Sequence, residues 1–147
     1  MSLQEKMQSD LRQSMLQREE LRRDTLRMVL SAIHNRQIEL KRPLSDDETL
    51  EIISRQLKQR RESIVAFLAG GREEKARQEE AESVILQAYL PEQIGADEVE
   101  RVVRDVIAKT KASGSGDLGK VMSQVMPMLK GRADGKLISD TVRRLLT

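Results

Sequence analysis

Apolar side chains recur at helical spacing along the chain. The most regular run in the first half is Leu26, Val29, Leu30, Ile33, Gln37 and Leu40, which predicts a helix ending near Pro43. Ser45-Asp46-Asp47-Glu48 follows in the Ser-x-x-Glu form of a capping box, so the next helix should start at Asp46. Its apolar seam is Leu50, Ile53, Leu57, Ile64, Phe67 and Leu68, interrupted by Arg60 and Arg61, and Gly70-Gly71 supplies a left-handed stop. Residues 72–88 read as a further helix, laced by Glu73 with Arg77 and Lys75 with Glu79 and burying Ala81, Ile85 and Ala88.

Leu90-Pro91-Glu92-Gln93-Ile94-Gly95 breaks this pattern, and the chain is expected to divide there into an N-terminal helical domain, 1–90, and a C-terminal domain, 91–147. Beyond the break lie three stripes: Val99, Val102, Val103, Val106 and Ile107; then Leu118, Val121, Met122, Val125 and Met126; then Leu137, Ile138, Thr141, Val142, Leu145 and Leu146. Three short amphipathic helices make a minimal bundle. Gly95 stands where a Ser or Thr cap is usual, so the first of the three begins weakly. Pro127 falls inside the second stripe and should end that helix, leaving a long loop up to Lys136. The fold class expected is all-α, an array of amphipathic helices followed by a three-helix bundle.

Composition narrows the chemistry. In 147 residues, 34% are charged and 38% apolar, with Tyr89 and Phe67 the only aromatics, as befits exposed helices sharing thin apolar seams. With no cysteine and one histidine, thiol nucleophiles, thiolate metal sites and histidine clusters are excluded. No apolar run suits a signal peptide or a bilayer span, which points to the cytoplasm and to no membrane partner. The net charge of +2 is uneven: residues 1–90 carry 16 basic and 16 acidic side chains, residues 91–147 carry 10 and 8.

The placement of that small excess matters more than its size. Gly119-Lys120 stands at the start of the second C-terminal helix and Gly135-Lys136 at the start of the third, with Lys130 and Arg132 just upstream. A helix N-terminus disfavours cations by a few tenths of a kcal/mol unless an anion binds there. These are therefore either phosphate contacts or solvated lysines beside glycines that supply positive φ angles.

Gly119-Lys120-Val121-Met122, followed by Leu129-Lys130-Gly131-Arg132-Ala133-Asp134-Gly135-Lys136, resembles the paired signature of the domain shared by YqeY-like proteins and the tail of the B subunit of tRNA-dependent amidotransferase. Leu26 to Ile33, Phe67-Leu68-Ala69-Gly70-Gly71-Arg72 and Tyr89-Leu90-Pro91-Glu92-Gln93 are similar to the stand-alone YqeY-like proteins in particular. The resemblance implies a tRNA holder: Lys120, Lys130, Arg132 and Lys136 would face RNA, and Gly119, Gly131 and Gly135 would permit close backbone approach. It implies tRNA or aminoacyl-tRNA as partner, with amidotransferase or aminoacyl-tRNA synthetase components as further candidates. It carries over no catalytic residue.

Other polar groups have plainer readings. His34 lacks an acidic orienting partner or a nucleophile and reads as a surface histidine. Arg55, Lys58, Arg60 and Arg61 form either a solvated face or an extension of an RNA surface. Glu79, Glu80 and Glu82 read as solubilising charges rather than metal ligands, and Met122, Met126 and Met128 as adaptable core or, alternatively, a hydrophobic groove for a partner helix. No Gly-x-x-x-x-Gly-Lys-Ser/Thr or Gly-x-Ser-x-Gly motif is present, and no cofactor or metal is expected. A label of carbon-nitrogen ligase with glutamine as amido donor would be inherited through the shared domain. The competing readings are an RNA-binding module, a protein-protein adaptor, and an amidating enzyme active only with partners.

Overall fold

The computed structural model describes residues 1–147 and contains seven α-helices and no strand. They are α1 (Leu3–Leu16), α2 (Glu20–Leu40), α3 (Asp46–Ala69), α4 (Glu73–Gln87), α5 (Ala96–Thr110), α6 (Leu118–Leu129) and α7 (Gly135–Leu146). A single 3-10 turn, Ser115–Asp117, precedes α6. The chain divides into two compact units, Met1–Leu90 and Pro91–Thr147. No helix is long and apolar enough to cross a membrane.

In the first unit, α1 packs on α2 and α3 on α4. Met7, Leu26, Val29, Ile33, Ile53, Leu57 and Leu86 form the core. Both Ser2 and Ser45 close reciprocal capping boxes, with Glu5 and Glu48. Arg42 grips Glu48 through two hydrogen bonds of 2.8 Å, which holds that carboxyl down to about 2. α2 ends at Leu40 with Lys41 in the left-handed conformation, and Gly71, at φ 73°, closes the α3–α4 turn.

The helices depart from the sequence pattern at several positions. α4 buries Ala76, Ser83 and Leu86 rather than Ala81, Ile85 and Ala88, because its polar stretch offers so little periodicity that α3 decides which face turns inward. Leu68 is 54% exposed, since the buried stripe of α3 is Thr49, Ile53, Leu57 and Arg60. Arg60 thus continues the core stripe at helical spacing and is only 7% exposed. Its guanidinium donates to Glu79 at 3.0 Å and to Glu82. These two glutamates are therefore partners of a buried cation, not simply solubilising charges, and Lys75 lies over the Phe67 ring, 5.8 Å from its centroid, instead of pairing with Glu79.

A second polar junction ties the end of α4 to α1. The Tyr89 hydroxyl donates to Asp10 at 2.5 Å, and Arg22 of α2 stands 3.7 Å from the same carboxylate. Burial, together with the bond to Asp10, pushes the Tyr89 hydroxyl up to about 12.

The second unit is a three-helix bundle. Val99, Val102, Val103 and Val106 of α5, Val121, Val125 and Leu129 of α6, and Ile138, Val142 and Leu146 of α7 meet in one core. α6 does not stop at Pro127 but runs through it to Leu129. Leu129 continues the Val121–Val125 stripe and is fully buried, so ending the helix at Pro127 would take it out of the core. Pro127 lies exposed near the helix end, where its missing N–H removes a single ladder bond. The α6–α7 connection is consequently short, Lys130–Asp134.

Replacing Arg60 by Ala should destabilise the protein by about 3 kcal/mol, because it strands two partly buried carboxylates; urea denaturation of the variant measures the loss. Tyr89→Phe should lower stability by about 1 kcal/mol at neutral pH. A hydroxyl pKa raised in the folded state stabilises fully below the unfolded value of 10.0, and this contribution is lost as pH rises towards about 12. The gap between wild type and Tyr89→Phe in urea midpoints should therefore close over that interval.

Candidate nucleic-acid interface

The turn between α6 and α7 is built around Gly131, whose φ of 76° lies in the left-handed region. Arg132 N–H bonds to Leu129 O at 2.9 Å and closes the turn. The segment before α5 is stitched to its outer side. Gln93 Nε2 donates to Gly131 O at 2.6 Å, Ile94 N–H donates to Arg132 O at 2.9 Å, and Arg132 Nε approaches Glu92 O at 3.4 Å. Lys130, Gly131 and Arg132 are half-buried in this corner, and Gly135 and Lys136 are exposed on the first turn of α7.

Of the seven residues singled out by sequence, the structure brings five together here: Lys130, Gly131, Arg132, Gly135 and Lys136. Gly119 and Lys120 lie on the first turn of α6, at the opposite end of that helix, about 15 Å away along its axis. Lys120 is not free there: its Nζ donates to Thr110 O at 3.0 Å and so serves one of the open carbonyls at the end of α5.

Carboxylates already stand at both helix starts. Asp134 is the N-cap of α7 and accepts from Lys136 N–H at 3.3 Å, while Asp117, ahead of α6, accepts from Ser113 N–H at 2.7 Å. Each helix start already has a carboxylate that offsets its dipole and its lysine. Sequence reading passed over both aspartates, although Asp134-Gly135-Lys136 carries an N-cap signal.

The glycines separate into two kinds. Gly131 is required by backbone conformation, whereas Gly119 and Gly135 sit inside helices without positive φ, and a Cβ added at either meets nothing within 4 Å. Around the corner, Glu98 is held below the usual carboxylate range, first by its hydrogen bond from Arg101 and in smaller part by Arg132. Lys109, Lys111, Lys136 and Arg143 add exposed cations to this unit. His34 is exposed on α2, and no group of three or more His, Asp and Glu side chains converges as a metal site would require.

The chain is all-helical, and its final three-helix bundle presents glycine-lysine pairs on the first turns of two helices. A family profile described as YqeY-like protein matches residues 4–146, and the chain belongs to that family. It is similar to "Altered inheritance of mitochondria protein 41, mitochondrial" of Vanderwaltozyma polyspora, 34% identical over 127 residues, covering 81% of this chain and 66% of that protein. The protein of the same name from Pyrenophora tritici-repentis is 27% identical over 144 residues, covering 96% of this chain and 79% of that protein. The E subunit of the glutamyl-tRNA(Gln) amidotransferase of Thermococcus gammatolerans is 44% identical over 55 residues, 35% of this chain and 9% of that protein. The chain spans about two thirds of the V. polyspora relative and, at 46%, about half of the Eremothecium gossypii one.

The two kinds of glycine make a direct stability test. Gly131→Ala forces a Cβ into the left-handed region and should destabilise the bundle by about 1 kcal/mol. Gly135→Ala should leave thermal stability unchanged or raise it by up to about 1 kcal/mol. Melting curves should place Gly131→Ala below wild type and Gly135→Ala at or above it.

Proposed function

We propose that this chain is a tRNA-binding accessory protein that holds tRNA or aminoacyl-tRNA through its second unit and has no autonomous catalysis. The observation that carries the reading is the exposed start of α7, where Lys136 projects beside Gly135 with open space above the backbone. Lys130 and Arg132 add charge to the same corner. Gly119 and Lys120 form a second contact point along α6, where a phosphate must draw Lys120 away from Thr110 O. A subunit of an enzyme named for glutamyl-tRNA(Gln) shares part of the sequence, which supports tRNA as the RNA class and amidotransferase components as partners.

Recognition is by backbone and shape, because Tyr89 and Phe67 are the only aromatics and both belong to the first unit. A carbon-nitrogen ligase activity with glutamine as amido donor belongs, on this reading, to partners that supply ammonia and nucleotide chemistry. We place the protein in the cytoplasm, where a tRNA holder without a membrane-crossing helix can act; the relatives named mitochondrial act elsewhere by name. The adaptor reading draws on exposed apolar side chains of the first unit, such as Leu16 at 85% and Val65 at 68%. It requires partner-protein binding that is insensitive to salt.

The test is tRNA binding across a salt series. Changing Lys130, Arg132 and Lys136 to Ala should weaken binding and reduce the slope of log affinity against log salt by about 2 to 3. Gly119→Ala with Gly135→Ala should weaken binding several-fold in a protein at least as stable as wild type. Binding indifferent to both sets of changes would sink the proposal.

A further inference from the structure

The α3–α4 hairpin carries a helix face that nothing in the first unit covers. The core of that unit takes Leu57 from α3 and Leu86 from α4. Farther along the hairpin, the side chains buried between the two helices are Arg60, Ala76 and Ser83. The ion pairs of Arg60 with Glu79 and Glu82 hold that stretch together, so the apolar residues beyond Leu57 are not all needed inside.

The outer side of α3 is patterned. Lys58, Arg61, Val65 and Leu68 recur at intervals of three and four residues, which places them on one stripe about 15 Å long. All four are exposed, Val65 by 68% and Leu68 by 54%. Neither cation of the stripe has a carboxylate partner, whereas Arg60, between them in sequence, turns inward to two. The stripe therefore offers two unpaired cations at one end and two uncovered apolar side chains at the other.

An occupant that matches this stripe covers the apolar pair and answers the cations in one contact. Exposed Glu62 borders the stripe next to Lys58, and exposed Glu73 and Glu74 follow the turn at Gly70-Gly71. RNA phosphates gain nothing from Val65 and Leu68, and a sheet of anionic headgroups is too broad to reach the stripe without meeting these glutamates. A single helix, about 10 Å across, fits the stripe alone. We propose that this face of α3 docks an acidic amphipathic helix of a partner protein. The partner sets two apolar side chains, one turn apart, against Val65 and Leu68, and two carboxylates about two turns along against Lys58 and Arg61. The contact is smaller than a standard interface, so the affinity is micromolar or weaker. The stripe lies wholly in the first unit, and its role stands whether or not the α6–α7 corner holds tRNA.

The experiment is an NMR titration of the isotope-labelled full chain with two synthetic helical peptides. Each carries two leucines one turn apart and, about two turns away on the same face, two glutamates; the two peptides place these pairs in opposite order. One of them should give saturable shifts centred on residues 58–68 of α3, with affinity about tenfold weaker in Val65→Asp. In the double variant Lys58→Glu with Arg61→Glu, binding should pass from the glutamate peptide to a version with lysines in place of its glutamates. The three substituted residues are exposed, so the variants keep the fold, as circular dichroism can check. The proposal is overturned by no saturable shift with either peptide, by shifts that the charge reversal does not redirect, or by tRNA or phosphatidylglycerol vesicles shifting this face at higher affinity than the peptides do. It is overturned equally if these residues shift as the free protein is concentrated, which assigns the stripe to a second copy of the chain. The triple change at Lys130, Arg132 and Lys136 should leave the peptide-induced shifts intact, which separates this face from the corner.

Discussion

The candidate surface of the second unit depends on one left-handed turn and the bonds that converge on it. With Gly131 at φ 76°, its carbonyl and that of Arg132 face the segment before α5, where Gln93 Nε2 and Ile94 N–H meet them at 2.6 and 2.9 Å. A side chain at position 131 resists that conformation, and any other conformation turns the two carbonyls away. The turn thereby fixes where Lys130 and Arg132 stand and where α7 starts. Leu129, fully buried just before it, anchors the turn to the core and draws α6 through Pro127.

The first unit relies on buried polar groups that are matched rather than avoided. Arg60 occupies a core position on α3 and is matched by Glu79 and Glu82 across the α3–α4 interface. Tyr89, Asp10 and Arg22 join the last turn of the unit to its first two helices. Such groups make helix register specific, since a slip of one position leaves a charge without its partner.

Much of the fold was legible because the signals were local. The capping box at Ser45, the stop at Gly70-Gly71 and the three apolar stripes beyond Gly95 each state their geometry within a few residues. What escaped was set by tertiary partners. The buried face of α4 follows α3, Arg60 is buried because Glu79 and Glu82 arrive from another helix, and the passage of α6 through Pro127 follows from Leu129 reaching the core. At the candidate site, sequence order grouped four cations that the bundle then divided: Lys120 stands on the first turn of α6 and Lys130 just past its last, and Lys120 turns to Thr110 O. The roles of Asp117 and Asp134 were readable in principle, as acids just ahead of helix starts, and were overshadowed by the lysines beside them.

The central claim is that the α6–α7 corner receives tRNA. The most direct measurement is chemical-shift mapping of the labelled chain with a purified tRNA at low and high salt. The account predicts perturbations centred on Gln93, Gly131, Arg132, Gly135 and Lys136, extending along α6 to Gly119 and Lys120, and fading as salt rises. Perturbations absent from this corner, or indifferent to salt, would contradict it.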